Sequence, residues 1–284
     1  MNLLAKVRTR ALALDEVPRV TEWAMQEGWN PGRSDAYVFN AADPGSCIAV
    51  EANGGPVGVI TAVRMTACFG FLGFFVLDGD HRSSVYGWTL WQAALERLGD
   101  RVIGGDGVLP RLPNYARYGF VPHYYTTSYR SVASVRPAVW RPGVEHASST
   151  PLAELAAYDA VGYGVSRAAV LREWLALPSS LALVFKREGR LCGLGAARRC
   201  HEGVRIGPLQ ADDPEAAEAL FDALAGLMPG ELISIDCPEN NPGAVRLLRK
   251  KGMIAGIVTA RLYRGEPPVN TPARVYGQMS FALG

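Results

Sequence analysis

Residues 67–77 read ACFGFLGFFVL, and the chain continues as DGDHRSSVYG at 78–87 and as WTLW at 88–91. The first stretch is an apolar, aromatic run with the length of a β-strand, and the second is a polar loop. From Trp91 onward, apolar residues recur with helical spacing at Ala94, Leu95 and Leu98. We therefore predict a buried strand that enters a helix through a short polar loop.

The start of this predicted helix is suited to bind a phosphate. The first amides of a helix have no partners within the helix, and they lie at the positive end of its dipole. Arg82 and the hydroxyl groups of Ser83 and Ser84 add a positive charge and hydrogen-bond donors at the same place. The geometry suits a pyrophosphate.

The composition is that of a globular protein, and the length favours two domains over one. The chain has 284 residues, of which 49% are hydrophobic and 20% charged, and its formal net charge is +2. The arginines are scattered, so the sequence argues against a nucleic-acid or membrane partner. The longest apolar run is too short to span a bilayer, and the first residues lack the apolar core of a signal peptide. We expect a cytoplasmic protein.

The cysteines and histidines show neither a disulfide nor a metal-binding pattern. The five cysteines are an odd number without the density of a disulfide scaffold or the spacing of metal ligands, and the four histidines are dispersed. We expect reduced cysteines and no metal site.

Periodicity and turn residues predict an alternation of strands and helices in the first part of the chain. The segment 101–103 is expected to pair parallel to the strand at 69–77. The predicted elements are a helix at 11–27, strands at 47–52, 57–65, 69–77 and 101–103, a helix that ends at Leu98, a short helix that ends at Gly119, and a strand at 121–130.

The segment 131–150 has the composition of a connector, because it holds Pro137, Pro142, Gly143 and several small polar residues. We therefore divide the chain into an amino-terminal module (1–132), a linker (133–150) and a carboxy-terminal module (151–284). The second module is predicted to contain helices that start at 151 and at 166, strands at 181–186, 191–198 and 204–210, a helix at 215–227, a strand at 232–237 and a helix that ends at 251.

The order of elements in the second module repeats that of the first. Leu77 and Gln210 end corresponding strands, and Gly119 and Gly252 follow corresponding helices; both pairs give an offset of 133 residues (210 − 77 and 252 − 119). A single offset for two separated landmarks favours a duplication of one folding unit.

Arg82-Ser83-Ser84-Val85-Tyr86-Gly87 resembles the acetyl-CoA loop of the GNAT superfamily of N-acetyltransferases, and the duplicated order resembles its bacterial form with two modules in tandem. Arg82 and Gly87 match the family's loop, whereas Val85 stands where the family usually has glycine. A β-branched residue limits how closely the backbone can approach a phosphate. Val85 therefore implies either a displaced loop or a weaker affinity for CoA.

The resemblance implies an α/β fold. Each of two tandem GNAT-like modules would be a mixed, mostly antiparallel sheet, flanked by helices, with a central strand-loop-helix cofactor cleft. It also implies acetyl-CoA as the cofactor, bound by the first module alone. The implied cofactor contacts are Phe75, Val76 and Leu77 at the strand end, Arg82, Ser83, Ser84, Val85, Tyr86 and Gly87 in the loop, and Asn114.

Tyr115, four residues before Gly119-Phe120, matches the family's catalytic tyrosine. In the family, the amine attacks the thioester directly, and this tyrosine donates a proton to the departing CoA thiolate. The alternative is that Tyr115 only packs. Tyr118, Tyr124 and Tyr125 are interpreted as core or pocket-lining residues.

The offset of 133 residues places Leu248 opposite Tyr115 and Glu215 opposite Arg82. Asp212 and Asp213 stand opposite the loop residues 79 and 80. Carboxylates would repel a phosphate, and leucine has no proton to donate; alternatively, the acidic residues simply cap a helix. Either way, we expect the second module to close over the acceptor or to stabilise the first.

A general base is harder to predict. The candidates are Asp78 and Asp106, but Asp106 lies in Gly104-Gly105-Asp106-Gly107, which can also be a turn with an aspartate that binds local backbone. A proton can also reach solvent through water.

The acceptor pocket is predicted near Trp29, Asn30, Asp35 and Phe39, because the family binds acceptors in this region; loop packing explains these residues equally well.

The sequence leaves two candidate functions. One is the transfer of an acetyl group from acetyl-CoA to a primary amine on a small molecule, by a monomer or homodimer. The other is a non-catalytic protein that binds CoA or a metabolite.

Overall fold

A computed structural model describes residues 7–52, 54–82, 84–134 and 139–284. Each half runs through one strand, two helices, three strands, a helix, a strand, a helix and a strand. The first half contains β1 (Arg8–Ala11), α1 (Pro18–Gln26), α2 (Asp35–Ala42), β2 (Cys47–Ala52), β3 (Gly55–Arg64), β4 (Phe69–Leu77), α3 (Ser84–Leu98), β5 (Val102–Val108), α4 (Leu112–Ala116) and β6 (Val121–Val132). The second half contains β7 (Val144–His146), α5 (Leu152–Tyr163), α6 (Ala168–Leu175), β8 (Ser180–Arg187), β9 (Arg190–Arg199), β10 (Val204–Ala211), α7 (Pro214–Gly226), β11 (Leu232–Pro238), α8 (Pro242–Lys250) and β12 (Ile254–Arg264), followed by β13 (Val275–Gly277).

The 13 described strands form one sheet that runs through both halves. Its order is β1-β2-β3-β4-β5-β12-β6-β11-β10-β9-β8-β7, and β13 pairs with β10. The pairs β4–β5 and β10–β11 are parallel, whereas the other pairs are antiparallel. The predicted mixed, mostly antiparallel sheet is therefore confirmed. The sequence did not predict that β12 would lie between β5 and β6, so that the last strands of the two halves are exchanged.

The ends of α4 and α8 confirm the register of the repeat. The backbone N–H of Phe120 donates to the carbonyl of Tyr115 (3.3 Å), and the N–H of Met253 donates to the carbonyl of Leu248 (3.0 Å). Phe120 and Met253 are both buried. The offset of 133 residues thus pairs positions that have the same place in the fold, although Leu248 is buried and Tyr115 is partly exposed.

Several boundaries differ from the prediction. The helix α1 begins at Pro18 instead of residue 11, because 8–11 pair with β2 as β1, and proline fits a first helical turn, where its missing N–H is not needed. The helix α2 was not predicted, and β5 extends to Val108 through the segment interpreted as a possible turn. The predicted linker contains β7, which pairs with β8, while residues 135–138 lie outside the described part of the chain.

Three large apolar clusters hold this sheet and its helices together. One lies between α3 and β2–β5, and a second between α7, α8 and β8–β11. The third joins the halves, because it combines Phe39 of α2 and Val76 of β4 with Trp174 of α6 and with Ala282 and Leu283 near the carboxyl end. Burial of this shared cluster favours a fixed contact between the halves.

Candidate active site

The strands β4 and β5 separate at the carboxyl end of the predicted strand-loop-helix motif. Their parallel pairing ends at Leu72 opposite Gly105. Beyond this point, 73–77 pair with β3 and 106–108 pair with β12 on their outer edges. No strand in the described part of the chain pairs with the inner edges, so the backbone N–H and C=O groups that point inward there are open to a ligand. We call the space between 73–77 and 106–108 the β4–β5 cleft.

A β-bulge bends β4 away from β5 where the cleft begins. Between the pairs Thr61–Gly73 and Val59–Val76, two residues of β4 lie opposite one residue of β3. One of the two is Phe74, whose φ of +43° is uncommon for a bulky side chain. An extra residue of this kind increases the local bend and twist of a strand. The bulge therefore explains why the cleft opens at this point.

The amino terminus of α3 lies at the end of β4. Gly87, in the first turn, packs on the strand, because a methyl group on Gly87 would lie 3.2 Å from Leu77 Cδ1 and 3.7 Å from Phe75 Cζ. Val85 is exposed. Ser83 and the side chain of Ser84, two of the predicted phosphate ligands, lie outside the described residues. The backbone nevertheless brings the first turn of α3 to the end of the cleft, as the sequence predicts.

Arg82, the predicted phosphate-binding cation, forms an ion pair with Glu27 at the end of α1. More than half of the Arg82 side chain is exposed. An exposed pair of this kind contributes only about 0–1 kcal/mol. A bound phosphate can therefore compete with the Glu27 carboxylate for the guanidinium.

Tyr115 packs on the β5 side of the cleft. A methyl group on Gly107 would lie 2.8 Å from Tyr115 Cε2, so the glycine permits the ring to contact the strand. The ring also makes edge-to-face contacts with Trp91 and Phe120, with centroids 5.6 and 6.2 Å apart. Burial raises the pKa of Tyr115, and the nearby charge of Asp106 raises it further. The hydroxyl is therefore protonated at neutral pH and can donate a proton. Asn114, beside it, is exposed.

Comparisons with known proteins agree with this geometry. A model described as acetyltransferase (GNAT) family matches residues 14–120, and one described as acetyltransferase (GNAT) domain matches 155–277. A holothin acyltransferase from Pseudoalteromonas sp. (strain SANK 73390) is 29% identical over 278 residues, which cover 97% of this chain and 94% of the relative.

The chain belongs to the GNAT family of acyltransferases, with two modules in tandem. Two solved structures share its fold. A putative acetyltransferase from Pyrococcus horikoshii has a TM-score of 0.84 at 20% identity, covering 100% of this chain and 98% of the other. A tandem GNAT protein from the clavulanic acid biosynthesis pathway has a TM-score of 0.62 at 16% identity, covering 94% of this chain and 100% of the other.

The three strand residues predicted to contact the cofactor lie on two faces of the GNAT sheet. Phe75 and Leu77 pack against α3, whereas Val76 is buried on the opposite face. The side chain of Val76 is thus part of the core. A ligand in the β4–β5 cleft can contact the inner backbone edge of this segment, where alternate residues present their N–H and C=O groups.

Asp106 is held by Arg261, a residue that sequence reasoning missed. The Arg261 Nε and Nη2 atoms donate to the two carboxylate oxygens at 3.1 and 2.8 Å, and both side chains are buried. Burial raises the pKa of Asp106, while Arg261 acts in the opposite direction. The turn interpretation is wrong, because Asp106 lies in β5 and its carboxylate binds a side chain of β12. Asp78 is exposed and lies 3.5 Å from His81 Nδ1.

The second module contains a comparable buried pair. Asp236 of β11 binds Arg205 of β10, with Nη1–oxygen distances of 2.5 Å. Asp106 and Asp236 are each the fifth residue of the strand that runs parallel to its module's central strand. A carboxylate at this position therefore occurs in both modules, which favours a structural role for Asp106 over a catalytic one.

The four residues predicted at the acceptor pocket are distributed between the interior and the contact of the two halves. Phe39 is fully buried and stacks on Phe74 at 5.5 Å. Asp35 is also buried, and it forms a two-point ion pair with Arg198 of β9 at 2.7 and 2.9 Å. Their burial does not agree with a role in an open acceptor pocket.

Asn30 and Trp29 are more accessible. The Asn30 amide group exchanges two hydrogen bonds of 2.9 Å with the backbone of Glu202, in the turn between β9 and β10. Trp29 is partly buried against the cluster that joins the halves. Both residues contact the second half, so this loop is held by the other module.

The second module's own cleft is filled by the chain itself. The parallel pairing of β10 and β11 ends at Ile206 opposite Ile235, and beyond it β10 pairs with β13. A methyl group on Gly277 of β13 would lie 2.7 Å from Ile235, so β13 also packs on β11. The backbone edge that is available in the first module is therefore occupied in the second.

The acidic residues at the start of α7 are paired with arginines. Arg187 binds Asp213 and Glu215, and two further arginines bind Asp212. Asp213 also caps α7, because it accepts a hydrogen bond of 2.9 Å from the N–H of Ala216. The capping interpretation is thus confirmed for Asp213. An open cavity of about 430 Å³ remains between the starts of α7 and α8.

Membrane-spanning helices and metal centres are both absent from the described part of the chain. None of its helices has both the length and the apolar character needed to cross a membrane. No group of three or more His, Cys, Asp or Glu side chains in these residues is arranged to hold a metal ion.

Proposed function

We propose that the protein is an N-acetyltransferase that moves an acetyl group from acetyl-CoA to a primary amine on a small molecule. The observation that carries this proposal is the β4–β5 cleft, with its free backbone edge, the start of α3 at one end and Tyr115 at its side. The name of the holothin acyltransferase supports acyl transfer by this kind of chain. We further propose that the modules divide within 133–150, between the two family matches.

In the proposed complex, the first module holds acetyl-CoA along the strand edge. The backbone of 75–77 would pair with the pantetheine arm, whose amides need partners in the cleft. Arg82, the first amides of α3 and the loop 83–87 would bind the pyrophosphate, because helix amides and a cation favour an anion there. Asn114 would contact the cofactor beside Tyr115.

The proposed reaction is a direct transfer. The neutral amine nitrogen attacks the thioester carbonyl, the carbon–sulfur bond breaks from the tetrahedral intermediate, and the thiolate takes the proton of the Tyr115 hydroxyl. The nitrogen loses its extra proton to water, and the tyrosinate is reprotonated from solvent. The scheme assigns this proton to water and not to Asp106, because that carboxylate is buried and bound by Arg261.

The second module would bind no CoA in this proposal. Its cleft contains β13, its counterpart of Tyr115 is Leu248, and its counterpart of Arg82 is Glu215. A CoA molecule in the cavity between α7 and α8 would add a second site, so the number of sites per chain tests this proposal. Calorimetric titration of CoA should give one site per chain, and Arg82→Glu should weaken binding at least tenfold, on the order of the loss of a charged hydrogen bond.

The amine acceptor requires a separate experiment. Wild-type protein with acetyl-CoA and a panel of small amines should release free CoA thiol and form N-acetylated products detectable by mass spectrometry. CoA binding without product from any amine would favour the alternative, a non-catalytic CoA-binding protein. Absence of CoA binding would contradict the acetyltransferase and would leave only a non-catalytic protein that binds another metabolite.

A further inference from the structure

The segment 278–284 of the second module reaches the apex of the first module's cleft. Gly73 is the first residue of β4 beyond the last β4–β5 pair. A methyl group on Gly73 would lie 2.6 Å from the Ala282 carbonyl oxygen and 2.7 Å from both Ala282 Cα and its methyl carbon. Any side chain at residue 73 would therefore clash with Ala282. The glycine allows the two backbones to meet.

Buried polar contacts fix this segment to the second module. The Tyr163 hydroxyl donates to the Leu283 carbonyl at 2.9 Å, and Arg167 Nη1 donates to the Gly284 oxygen at 2.6 Å. Arg167 is in turn held by both carboxylate oxygens of Asp159, at 2.7 and 2.9 Å. Arg167 and Asp159 are almost fully buried. Because buried charged pairs hold a fixed geometry, Ala282 is a fixed wall and not a loose end.

A small cavity lies beside the same segment. It has a volume of about 20 Å³ and is lined by Tyr124, Tyr163, Gln278 and Gly284, among others. A cavity of that size holds about one water molecule.

We propose that Ala282 limits the size of the acyl group that the first module accepts, an inference that rests on the proposed function. The thioester would lie along 73–77, and the far end of the acyl group would point to the apex, where Gly73 and Ala282 meet. An acetyl group ends there, whereas each added methylene presses on the Ala282 methyl group. A residue of one module thus determines the specificity of the other.

The test compares the binding of acyl-CoA thioesters and needs no acceptor. Dissociation constants for CoA, acetyl-CoA, propionyl-CoA and butyryl-CoA are measured by calorimetry for wild type, Ala282→Gly and Ala282→Val. Ala196→Gly is the matched control, because Ala196 is a fully buried alanine of the same apolar cluster but lies on β9. Thermal melting verifies that each variant is folded.

We expect Ala282→Gly to lower the butyryl-CoA to acetyl-CoA ratio of dissociation constants about tenfold, the scale of one methylene in a fitted pocket. Ala282→Val should weaken acetyl-CoA about tenfold while free CoA changes less than about twofold. The control should leave the ratio unchanged.

If wild type binds acetyl-CoA normally but the ratio is unchanged in both folded Ala282 variants, Ala282 does not limit the acyl group. This outcome would leave the proposed function intact. If wild type binds none of the four compounds, the proposed function fails, and the inference fails with it.

Discussion

Thr126 of β6 lies directly opposite Thr259 of β12 in the antiparallel pair at the centre of the sheet. The two threonines are also repeat equivalents, since they are 133 residues apart (259 − 126). A residue that pairs with its own counterpart marks a local two-fold axis. The halves are therefore joined by the strands that they exchange.

This exchange predicts that the chain unfolds as one unit. Without β12, β5 and β6 have no neighbour between them, so neither half alone retains a continuous sheet. We expect one calorimetric transition for the full chain, with equal calorimetric and van't Hoff enthalpies. Two separable transitions, or a cooperatively folded fragment 1–132, would contradict this expectation.

Asp35 and Arg198 form a buried ion pair between α2 and β9. Asp35→Asn leaves the guanidinium buried without a charged partner, so the free energy of unfolding should fall by about 3–5 kcal/mol. The matched control is Glu173→Gln, which removes an ion pair to the more exposed Arg172 and should cost less than about 1 kcal/mol. Urea unfolding measures both. Similar small losses in the two variants would show that the buried pair is not needed.

The sequence predicted the parts of the site that depend on local pattern. The strand at 69–77, its entry into α3 and the helix that carries Tyr115 follow from apolar periodicity and from glycines that end helices. The repeat offset also correctly identified Leu248 as the counterpart of Tyr115.

Long-range partners could not be predicted in this way. An exchanged strand has the same alternation of side chains as one that stays in its own module, so β12 gives no signal of its place between β5 and β6. Sequence reasoning also missed Arg261 as the partner of Asp106 and Arg198 as the partner of Asp35. Each of these aspartates pairs with a residue more than 150 positions away. The repeat itself could have suggested that equivalent strands of the two halves pair with each other.

Glu27 is expected to compete with phosphate for Arg82. Glu27→Gln removes the carboxylate that pairs with the guanidinium. CoA should then bind about three- to fivefold more tightly, because the lost pair is exposed and contributes at most about 1 kcal/mol. Calorimetry at low salt measures the change, which should shrink as salt screens the pair. Glu22→Gln, an exposed position on the same helix, is the control. Weaker CoA binding in Glu27→Gln would mean that Glu27 helps to place Arg82.

The pKa of Tyr115 predicts the shape of the pH profile. Because burial raises this pKa above its ordinary value of 10, the hydroxyl stays protonated, and able to donate, throughout the range below pH 10. Turnover should rise as the acceptor amine loses its proton and should not decline before about pH 10. A decline centred below pH 9 that disappears in Tyr115→Phe would contradict the raised pKa of Tyr115.

The most direct test of the proposed mechanism is turnover by Tyr115→Phe at saturating acetyl-CoA, with an amine that wild type acetylates. The substitution keeps the ring that packs on Gly107 and Trp91 and removes one proton donor. Tyr118→Phe is the control, because Tyr118 belongs to the same aromatic cluster, 5.4 Å from Trp91. We predict that kcat of Tyr115→Phe falls about 100-fold or more while the Kd for CoA stays within about twofold, and that Tyr118→Phe resembles wild type. Full turnover by a folded Tyr115→Phe protein would contradict the role of Tyr115 as the acid.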